Sequence, residues 1–579
     1  MPPLVEIEAG SLPENTIMKK TLFITMLTAA LLGGKVYANT GFEGGIIRNL
    51  LGQHDLAGDN GAHGEKLRIF EDPESNYEAL DNVFGYFGVG EDVWVSSGNV
   101  VTMEGGIVQT VYGAYTIGTV KEQTIWMKGG TVRGTICGGL STTDDHNYSW
   151  DNTVIVTGGK VGAIIGGQAE AQDDADASRN KVYITGLSAD CAPSVCGGKV
   201  MAETRNGAGS NEVHLVGDGA AIFIEGERLE GHSMTLGDVQ GAYCPRSERG
   251  NSVHIYGSGI HARSVNHTQI LNFHLVDGLA TAEAPVLALS GTDQYWHKFN
   301  MAEFTLGIIA DDVTDWGVLA GRTVTLVESQ LAITGFGSTP YKVVDVTKTG
   351  QSASQGILTL GNEGKELLLK VLRPGTEVLA PGDSRQAGSA AITALKENEP
   401  GLLDNLTLEA DTILGAGRAA SLADGLKIQS DADLMIKNMT ITANNEIHVG
   451  EHTITLKDVT IKISDDVCQP VNGIYTIDLR NLINCDLVME NVLLDASDLS
   501  LPEGFDPATT SVVFDFGDDV TIKQATGLDM RLGNYWSPSL NLDQQGQVIF
   551  TKLVETPEPT TGVLSLLGLG LLAGRRRRH

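Results

Sequence analysis

A short unit that alternates apolar and polar residues and then turns on glycine recurs along the first half of the chain. Copies begin at Val100, Ile125, Asn152, Asn180, Asn211, Ser233 and Asn251. Comparable glycines follow each first strand at Gly105, Gly129, Gly158, Gly186, Gly217, Gly237 and Gly257. Repeats of about 20 to 30 residues predict a solenoid, in which each unit buries its apolar face on the next.

The strands within these units favour Val and Ile at every second position, which directs one side chain in two towards a narrow interior. The chain has 71 glycines in 579 residues, against about 7% in typical proteins, which fits many tight turns. We therefore predict an all-β fold, with a right-handed parallel β-helix over residues 91–280. A β-sandwich or β-roll is the alternative.

Asparagine precedes four of the strands, at Asn152, Asn180, Asn211 and Asn251. Stacked asparagines can hydrogen-bond along a column of equivalent positions. We expect these four side chains to stack at a corner and to satisfy backbone groups there.

The glycine pattern weakens after residue 280, and the remaining divisions follow changes of pattern. Residues 39–90 are predicted to form an N-terminal cap or linker. Residues 281–400 contain hairpin-like strands and are predicted to be a β-rich insert or second β domain. Residues 401–554 alternate again between Asn, Asp and Gly turns, which predicts a second solenoid-like region.

The N-terminal segment has the parts of a secretory signal peptide at residues 18–38. Lys19 and Lys20 precede a short apolar stretch, and the segment ends in small residues that suit signal peptidase. We expect cleavage between Ala38 and Asn39. Residues 1–17 make a poor leader, so they are interpreted as a mis-assigned upstream start, with translation beginning at Met18.

The C-terminal segment, residues 555–579, contains a Pro-Glu-Pro triplet, an apolar stretch at 563–573 and a basic cluster. Its motif residues are Pro557, Glu558, Pro559, Arg575, Arg576, Arg577 and Arg578. An apolar helix followed by arginines is retained in a membrane with the arginines on the cytoplasmic side. We predict a short hydrophobic helix that enters the inner membrane. A plain membrane anchor is the alternative.

This order of triplet, apolar stretch and arginines resembles the PEP-CTERM sorting signal of Gram-negative bacteria. The resemblance covers about the last 24 residues. It implies recognition by an exosortase-type sorting enzyme, delivery to the cell envelope, cell surface or extracellular matrix, and an association with extracellular polysaccharide.

The glycine-turned units in turn resemble the passenger regions of autotransporter-like adhesins. Together the two resemblances imply a surface protein that acts as an adhesin or structural scaffold. The formal net charge of −32 excludes nucleic acid as a partner, because an acidic surface repels phosphates.

Candidate sites for chemistry are few. No nucleophile elbow, zinc-protease motif or P-loop is present. His214, His254 and His274 lie in alternating strands and are expected to face solvent rather than to bind a metal. Two acidic loops supply the oxygen ligands that Ca²⁺ prefers. The candidate calcium ligands are Asp144, Asp145, Asp173, Asp174 and Asp176.

A polysaccharide lyase or glycosidase is the alternative function, since the long face of a β-helix can hold a linear glycan. The tryptophans could stack on sugars, although their scatter favours packing roles. They are Trp94, Trp126, Trp150, Trp296, Trp316 and Trp536. We predict no catalytic residue and, calcium apart, no cofactor.

The cysteines leave two interpretations open. In an exported protein, Cys191 could pair with Cys196, and Cys468 with Cys485. Alternatively, they are buried thiols in successive units.

Overall fold

The computed structural model describes residues 49–54, 66–69, 80–87 and 95–555. Short internal gaps fall at 143–145, 172–173, 203–204, 245–247, 388–389, 397–398, 405, 411–412, 423–424, 465–467, 472–473, 502–504, 538, 544–545 and 552. The chain divides into two units, Met1–Leu372 and Arg373–His579. The predicted signal peptide and C-terminal helix lie outside the described residues. Among those residues, no helix has the length and apolar character needed to cross a membrane.

The described part of the first unit consists almost entirely of short strands. They are β1 (Asn49–His54), β2 (Lys66–Ile69), β3 (Leu80–Phe87), β4 (Val95–Ser97), β5 (Val100–Met103), β6 (Ile107–Tyr112), β7 (Tyr115–Thr116), β8 (Thr119–Lys121), β9 (Thr124–Met127), β10 (Thr131–Cys137), β11 (Leu140–Thr142), β12 (His146–Trp150), β13 (Thr153–Val156), β14 (Lys160–Ile165), β15 (Gln168–Ala171), β16 (Asp174–Ser178), β17 (Lys181–Ile184), β18 (Ser194–Cys196), β19 (Lys199–Ala202), β20 (Arg205–Gly209), β21 (Glu212–Val216), β22 (Ala221–Ile224), β23 (Glu227–Glu230), β24 (Met234–Gln240), β25 (Glu248–Arg249), β26 (Ser252–Tyr256), β27 (Ile260–Asn266), β28 (Ile270–His274), β29 (Leu287–Leu289), β30 (Thr305–Ile309), β31 (Thr323–Ser329), β32 (Tyr341–Lys348), β33 (Gln351–Gly361) and β34 (Glu366–Val371). The helical segments are α1 (Trp316–Leu319) and the 3₁₀ turns Asp277–Ala280 and Asn362–Gly364.

Most of these strands stack in parallel ladders. One ladder runs β5, β9, β13, β17, β21, β26, β28 and β30. A second runs β3, β6, β10, β14, β18, β24, β27 and β29. A third is the six-stranded sheet of β4, β8, β12, β16, β20 and β25. The all-β fold class is confirmed.

One predicted unit is wrong. The sequence from Ser233, with Gly237, forms β24, which pairs with β18 and β27 in the second ladder. It is therefore the second strand of the unit that begins at Asn211. That unit is 40 residues long, because the antiparallel hairpin of β22 and β23 is inserted within it.

The interior of the first ladder is a column of apolar side chains in register. Met127 of β9 lies opposite Val156 of β13, which in turn lies opposite Ile184 of β17. All three side chains are fully buried. Leu215 and Ile255 continue the column. Each such side chain stabilises the fold by about 1.5 to 3 kcal/mol on burial.

A column of amide side chains, all buried except the half-buried last one, marks one corner of the stack. We call it the asparagine column; it consists of Asn99, Gln123, Asn152, Asn180, Asn211, Asn251 and Gln269. The side-chain oxygen of Asn180 accepts from the backbone N–H of Asn152 at 3.1 Å, and the oxygen of Asn211 accepts from that of Asn180 at 3.0 Å. The predicted stacking and backbone satisfaction of the four asparagines are confirmed.

Left-handed residues make the turn into the asparagine column. Asp151, Arg179 and Ser210 have φ of 55°, 58° and 55°, and each immediately precedes a column asparagine. Such values disfavour most side chains. The buried amides that follow hold this turn by bonding to the next unit.

A second corner requires glycine for a different reason, close approach of the backbone. A Cβ added at Gly138 would lie 2.0 Å from Gly166 O, and one at Gly166 would lie 2.2 Å from Gly197 O. These glycines follow β10, β14 and β18, so the corner repeats from unit to unit. Here the stack leaves no room for a side chain.

Antiparallel pairing ends the first unit. β31 pairs with β34, and β33 pairs with both β32 and β34. Leu358, Leu367 and Leu369 are fully buried between them. This region therefore closes the apolar interior with hairpins rather than with further parallel strands.

The second unit is also composed of strands. They are β35 (Glu377–Leu379), β36 (Ser384–Ala387), β37 (Ala390–Ala394), β38 (Gly401–Leu403), β39 (Leu406–Ala410), β40 (Ile413–Ser421), β41 (Leu426–Ser430), β42 (Leu434–Thr442), β43 (Glu446–His448), β44 (Thr453–Lys457), β45 (Thr460–Lys462), β46 (Cys468–Val471), β47 (Ile474–Asp478), β48 (Asp486–Glu490), β49 (Leu493–Ala496), β50 (Ser511–Asp515), β51 (Ile522–Thr526), β52 (Asp529–Leu532), β53 (Tyr535–Trp536), β54 (Ser539–Asp543), β55 (Gln547–Thr551) and β56 (Val554–Glu555).

Parallel and antiparallel pairings are mixed in this unit. β42 pairs in parallel with β44 and β45, and these pair onward with β48 and β49. Hairpins such as β46–β47 and β54–β55 are antiparallel. The unit has its own apolar core, which includes Ile436, Leu456 and Leu487.

Candidate functional site

The predicted processing residues lie outside the described part of the chain. These are Ala38 and Asn39 at the N-terminal end, and Pro557, Glu558, Pro559, Arg575, Arg576, Arg577 and Arg578 at the C-terminal end. The described structure reaches Glu555, which pairs with Tyr535 between β56 and β53. The last described strand therefore ends two residues before the Pro-Glu-Pro triplet.

The acidic loops are only partly described. Asp144, Asp145 and Asp173 lie outside the described residues. Asp174 and Asp176 lie on β16, where Asp174 faces His146 Nδ1 at 3.2 Å and Asp176 accepts from Ser178 Oγ. Within the described ranges, no group of three or more His, Cys, Asp or Glu side chains is placed to hold a metal. Calcium binding stays a prediction.

Asp174 and Asp176 belong to a row of aromatic and charged side chains on the six-stranded sheet. Tyr148 and Trp150 on β12 have ring centroids 4.6 Å apart, and the Arg179 guanidinium carbon lies 5.4 Å from the Trp150 ring. The Trp150 ring therefore has both an aromatic and a cationic neighbour. The Tyr148 hydroxyl donates to Asp174 at 3.2 Å.

A second assembly, the histidine cluster, lies on the first ladder and consists of Tyr183, His214, His254, Tyr256 and His274. Ring centroids are 4.5 Å apart for Tyr183 and His214, and 4.5 Å for His214 and His254. His274 stacks on Tyr256 at 3.8 Å. The rings are in contact because parallel pairing aligns these positions on adjacent strands.

The expectation that these histidines face solvent is wrong for His214 and His274, which are only 9% exposed. Their side chains leave the sheet on its outer side, but the stacked rings cover one another. The rings also form hydrogen bonds within the cluster. His254 Nδ1 lies 3.0 Å from His274 Nε2, and His214 Nδ1 lies 3.1 Å from the Tyr256 oxygen.

Burial controls the protonation of the histidine cluster. It lowers the pKa of His254 to about 4 and that of His274 to about 3, with the neighbouring histidines adding to the effect. Burial also lowers the pKa of His214. Glu212, hydrogen-bonded to His214 and close to Lys181, has its pKa lowered to about 2. At neutral pH the cluster is therefore three neutral imidazoles beside one carboxylate.

The tryptophans occupy different environments. Trp126 is 7% exposed and fits the predicted packing role. Trp150, Trp316 and Trp536 are partly buried, and Trp94 lies outside the described residues. Trp296 is 64% exposed, beside Tyr295 at 81%. Sequence reasoning named Trp296 among the tryptophans that could stack on sugars, but it missed Tyr295 and the exposure of the pair. Adjacent aromatic residues have no alternation that would separate an exposed loop from a packed one.

The cysteine side chains support the second of the two interpretations for the first unit. Cys191 and Cys196 are free thiols. Cys137 and Cys196 are buried at equivalent positions two units apart, with Ile165 between them. Each donates to the carbonyl two residues later, Gly139 at 3.3 Å and Gly198 at 3.2 Å. Burial raises the pKa of both thiols to about 12. The side chain of Cys468 is not among those described.

Residues 555–578 match the family model of the PEP-CTERM protein-sorting motif. The tail is a PEP-CTERM sorting motif. It implies export, sorting to the bacterial envelope or surface, and processing by an exosortase-type enzyme. No curated protein and no solved structure matches the chain.

Proposed function

We propose that this PEP-CTERM chain acts at the cell surface, or in the extracellular matrix, as an adhesin or structural scaffold that contacts polysaccharide. The observation that carries the proposal is the sorting motif, which follows in sequence two units built of stacked strands. A stack of this kind offers many equivalent outward positions, which suits repeated weak contacts with a polymer. The apolar segment of the tail holds the precursor in the inner membrane of a Gram-negative cell.

We also propose that residues 91–280, within the first unit, form a right-handed parallel β-helix. Three parallel ladders and a chain that visits them in turn support this architecture. The asparagine column and the glycine corner support it further, since both require units to stack in register.

A polysaccharide lyase or glycosidase is the second candidate. Such enzymes use paired carboxylates, or a base beside them, held near the bond to be cleaved. The outward carboxylates described above are engaged with neighbours: Asp174 with His146 and Tyr148, and Glu212 with Lys181 and His214. These contacts favour a structural role over catalysis.

One experiment separates the two functions. The purified full chain is incubated with a panel of polysaccharides, and bound protein and newly formed reducing ends are measured in the same samples. The proposal predicts binding without new ends. New reducing ends that increase with time would replace the scaffold with the enzyme, and an absence of binding to every polymer would refute polysaccharide contact.

A further inference from the structure

The loop at residues 290–304, between β29 and β30, presents two aromatic side chains to solvent. Tyr295 is 81% exposed and Trp296 is 64% exposed. Their rings meet edge to face, with centroids 4.8 Å apart. Burial of such rings normally stabilises a fold, so an exposed pair on an ordered loop indicates a contact surface.

Hydrogen bonds fix the tip of this loop. The Asp293 carboxylate accepts from the backbone N–H of Tyr295 at 2.8 Å and from that of Trp296 at 3.1 Å. These two N–H groups lower the pKa of Asp293, so it stays ionised and keeps both bonds. The side chain of His297 closes the turn, with Nδ1 accepting from the N–H of Asp293 at 3.2 Å.

Both ends of the loop are attached to the stack. The N–H of Gly291 donates to Arg263 O on β27 at 2.9 Å. On the other side, the side chain of Phe299 is 1% exposed and belongs to the core. The aromatic tip is therefore held on a rigid base, as is usual for binding residues on loops.

An ion pair adjoins the base of the loop. Arg263 and Asp238, on neighbouring strands, make two parallel hydrogen bonds, one of them from Nε to Oδ1 at 2.8 Å. Ser264 Oγ also donates to Asp238 at 2.7 Å, and His297 Nε2 lies 4.0 Å from the same carboxylate oxygen. The Arg263 and Asp238 side chains remain half-exposed and one-quarter exposed, at 50% and 24%.

We propose that Tyr295 and Trp296, with the Arg263–Asp238 pair beside them, form a binding site for a neutral polysaccharide. The electron-rich face of an aromatic ring attracts the weakly positive C–H face of a sugar. The neighbouring carboxylate and guanidinium supply acceptors and donors for hydroxyl groups. Pre-ordered Tyr and Trp side chains lose little conformational entropy when they bind.

The negative charge of the chain favours a neutral polysaccharide over anionic lipids and anionic glycans. The net charge of −32 repels anionic lipid and anionic glycans. Asp293 brings negative charge to the tip itself, whereas the charge of Asp238 is balanced by Arg263. A neutral polymer carries no such penalty. This inference depends on the proposed function, because it names one of the surfaces through which the body contacts polysaccharide.

The test compares full-chain variants by affinity electrophoresis in gels that contain neutral polysaccharides: dextran, β-glucan and galactomannan. Trp296→Ala should weaken binding to the recognised polymer by roughly tenfold or more, as expected for a central aromatic contact. Trp296→Phe should retain most of the binding, and Trp296→Leu should not, since only the former keeps a ring. Phe223→Ala is the matched control, because Phe223 is 72% exposed on the separate β22–β23 hairpin.

Each outcome decides between the two claims. Binding by the wild type that survives in Trp296→Ala would refute this site and leave the proposed function intact. No binding by the wild type to any polymer would refute both. Trp296-dependent binding that is confined to dextran sulfate, or to phosphatidylglycerol vesicles, would replace the neutral polysaccharide with an anionic partner.

Discussion

The two units turn equivalent corners in different ways. In the first unit a left-handed residue is followed by a buried amide, as in Arg179 and Asn180. In the second unit a left-handed residue is followed by a buried apolar side chain, as in Asn491 and Val492. Both solve the same problem, which is to turn the chain tightly without leaving its backbone groups or its interior unsatisfied.

The difference lies in where specificity comes from. A buried amide must find partners at defined distances, so the asparagine column fixes the register of one unit on the next. Apolar side chains such as Val459 and Val492 pack without such a requirement. The first unit therefore depends on polar registration at this corner, and the second depends on packing.

Among the single substitutions, loss of one amide of the asparagine column should lower the free energy of unfolding most. Asn180 is buried, accepts from Asn152 N and Nδ2, and donates to Ser149 O at 2.9 Å and Asn211 Oδ1 at 3.1 Å. Asn180→Ala leaves buried donors without acceptors, which should lower the free energy of unfolding of the first unit by about 3 kcal/mol or more. Denaturant titration measures this, and Val492→Ala in the second unit should cost about 2 kcal/mol. An Asn180→Ala loss no greater than that would remove the distinction between the corners.

Acid should destabilise the first unit selectively. The pKa values of His254 and His274 are about 4 and 3 in the folded chain, below the value of about 6.5 in an unfolded one. The unfolded state therefore binds more protons between these values, so stability falls as the pH drops below about 6.5. We expect each of the two histidines to contribute about 3 kcal/mol to this loss by pH 4, or about 6 kcal/mol together.

The pH experiment has an internal control. His254→Asn combined with His274→Gln should reduce the loss of stability between pH 6.5 and 4, leaving the part that is due to His214. The effect of Glu212, with its pKa near 2 in the folded chain, begins near pH 4.5 and falls mostly below that range. Asp312 also faces the cluster, but burial raises its pKa, which opposes acid lability. An unchanged pH dependence in the double variant would therefore assign the acid lability to His214.

Glycine substitutions should separate crowding from backbone strain. At Gly166 an added Cβ would lie 2.2 Å from the carbonyl oxygen of Gly197, so Gly166→Ala should cost about 2 kcal/mol through overpacking. At Gly450 in the second unit there is open space, but φ is +64°. Gly450→Ala should cost about 1 kcal/mol. Thermal melting of both variants tests this order. Crowding at Gly166 predicts that Gly166→Ala lowers the melting temperature more than Gly450→Ala does.

The exposed corner of the second unit should respond least. Asn491 has φ of 54° and donates to Asp458 Oδ1 at 3.1 Å on the surface. Glycine adopts this conformation readily, so Asn491→Gly should change the free energy of unfolding by less than about 0.5 kcal/mol. A loss comparable to that of Asn180→Ala would show that both corners rely on their amides.

The sequence predicted the stacked strands and the asparagine column because both leave a local pattern. Each column asparagine directly precedes an alternating strand, and its partner is the same residue in the next unit. The prediction of a separate unit at Ser233 was wrong because strands of the first and second ladders have the same alternation of apolar and polar residues. The pattern therefore does not tell the two ladders apart. The inserted β22–β23 hairpin also hid the true spacing of Asn211 and Asn251.

The surface sites were less accessible to sequence reasoning. The equivalence of His214 and His254 was visible in their strands, but the cover that Tyr183 and Tyr256 provide depends on stacking across units. The loop at 290–304 has no repeat, and the exposure of Trp296 follows from the Asp293 turn. The sorting tail was recognised because its motif is contiguous in sequence.

The surface role is tested most directly by the location of the chain in cells. Wild-type cells and cells carrying the combined change Pro557→Ala, Glu558→Ala and Pro559→Ala are fractionated, and intact cells are treated with protease. We predict that the wild-type chain is released or is cleaved at the surface, whereas the variant is retained in the inner membrane as a longer form. The same size, location and protease sensitivity for both chains would contradict sorting through the tail.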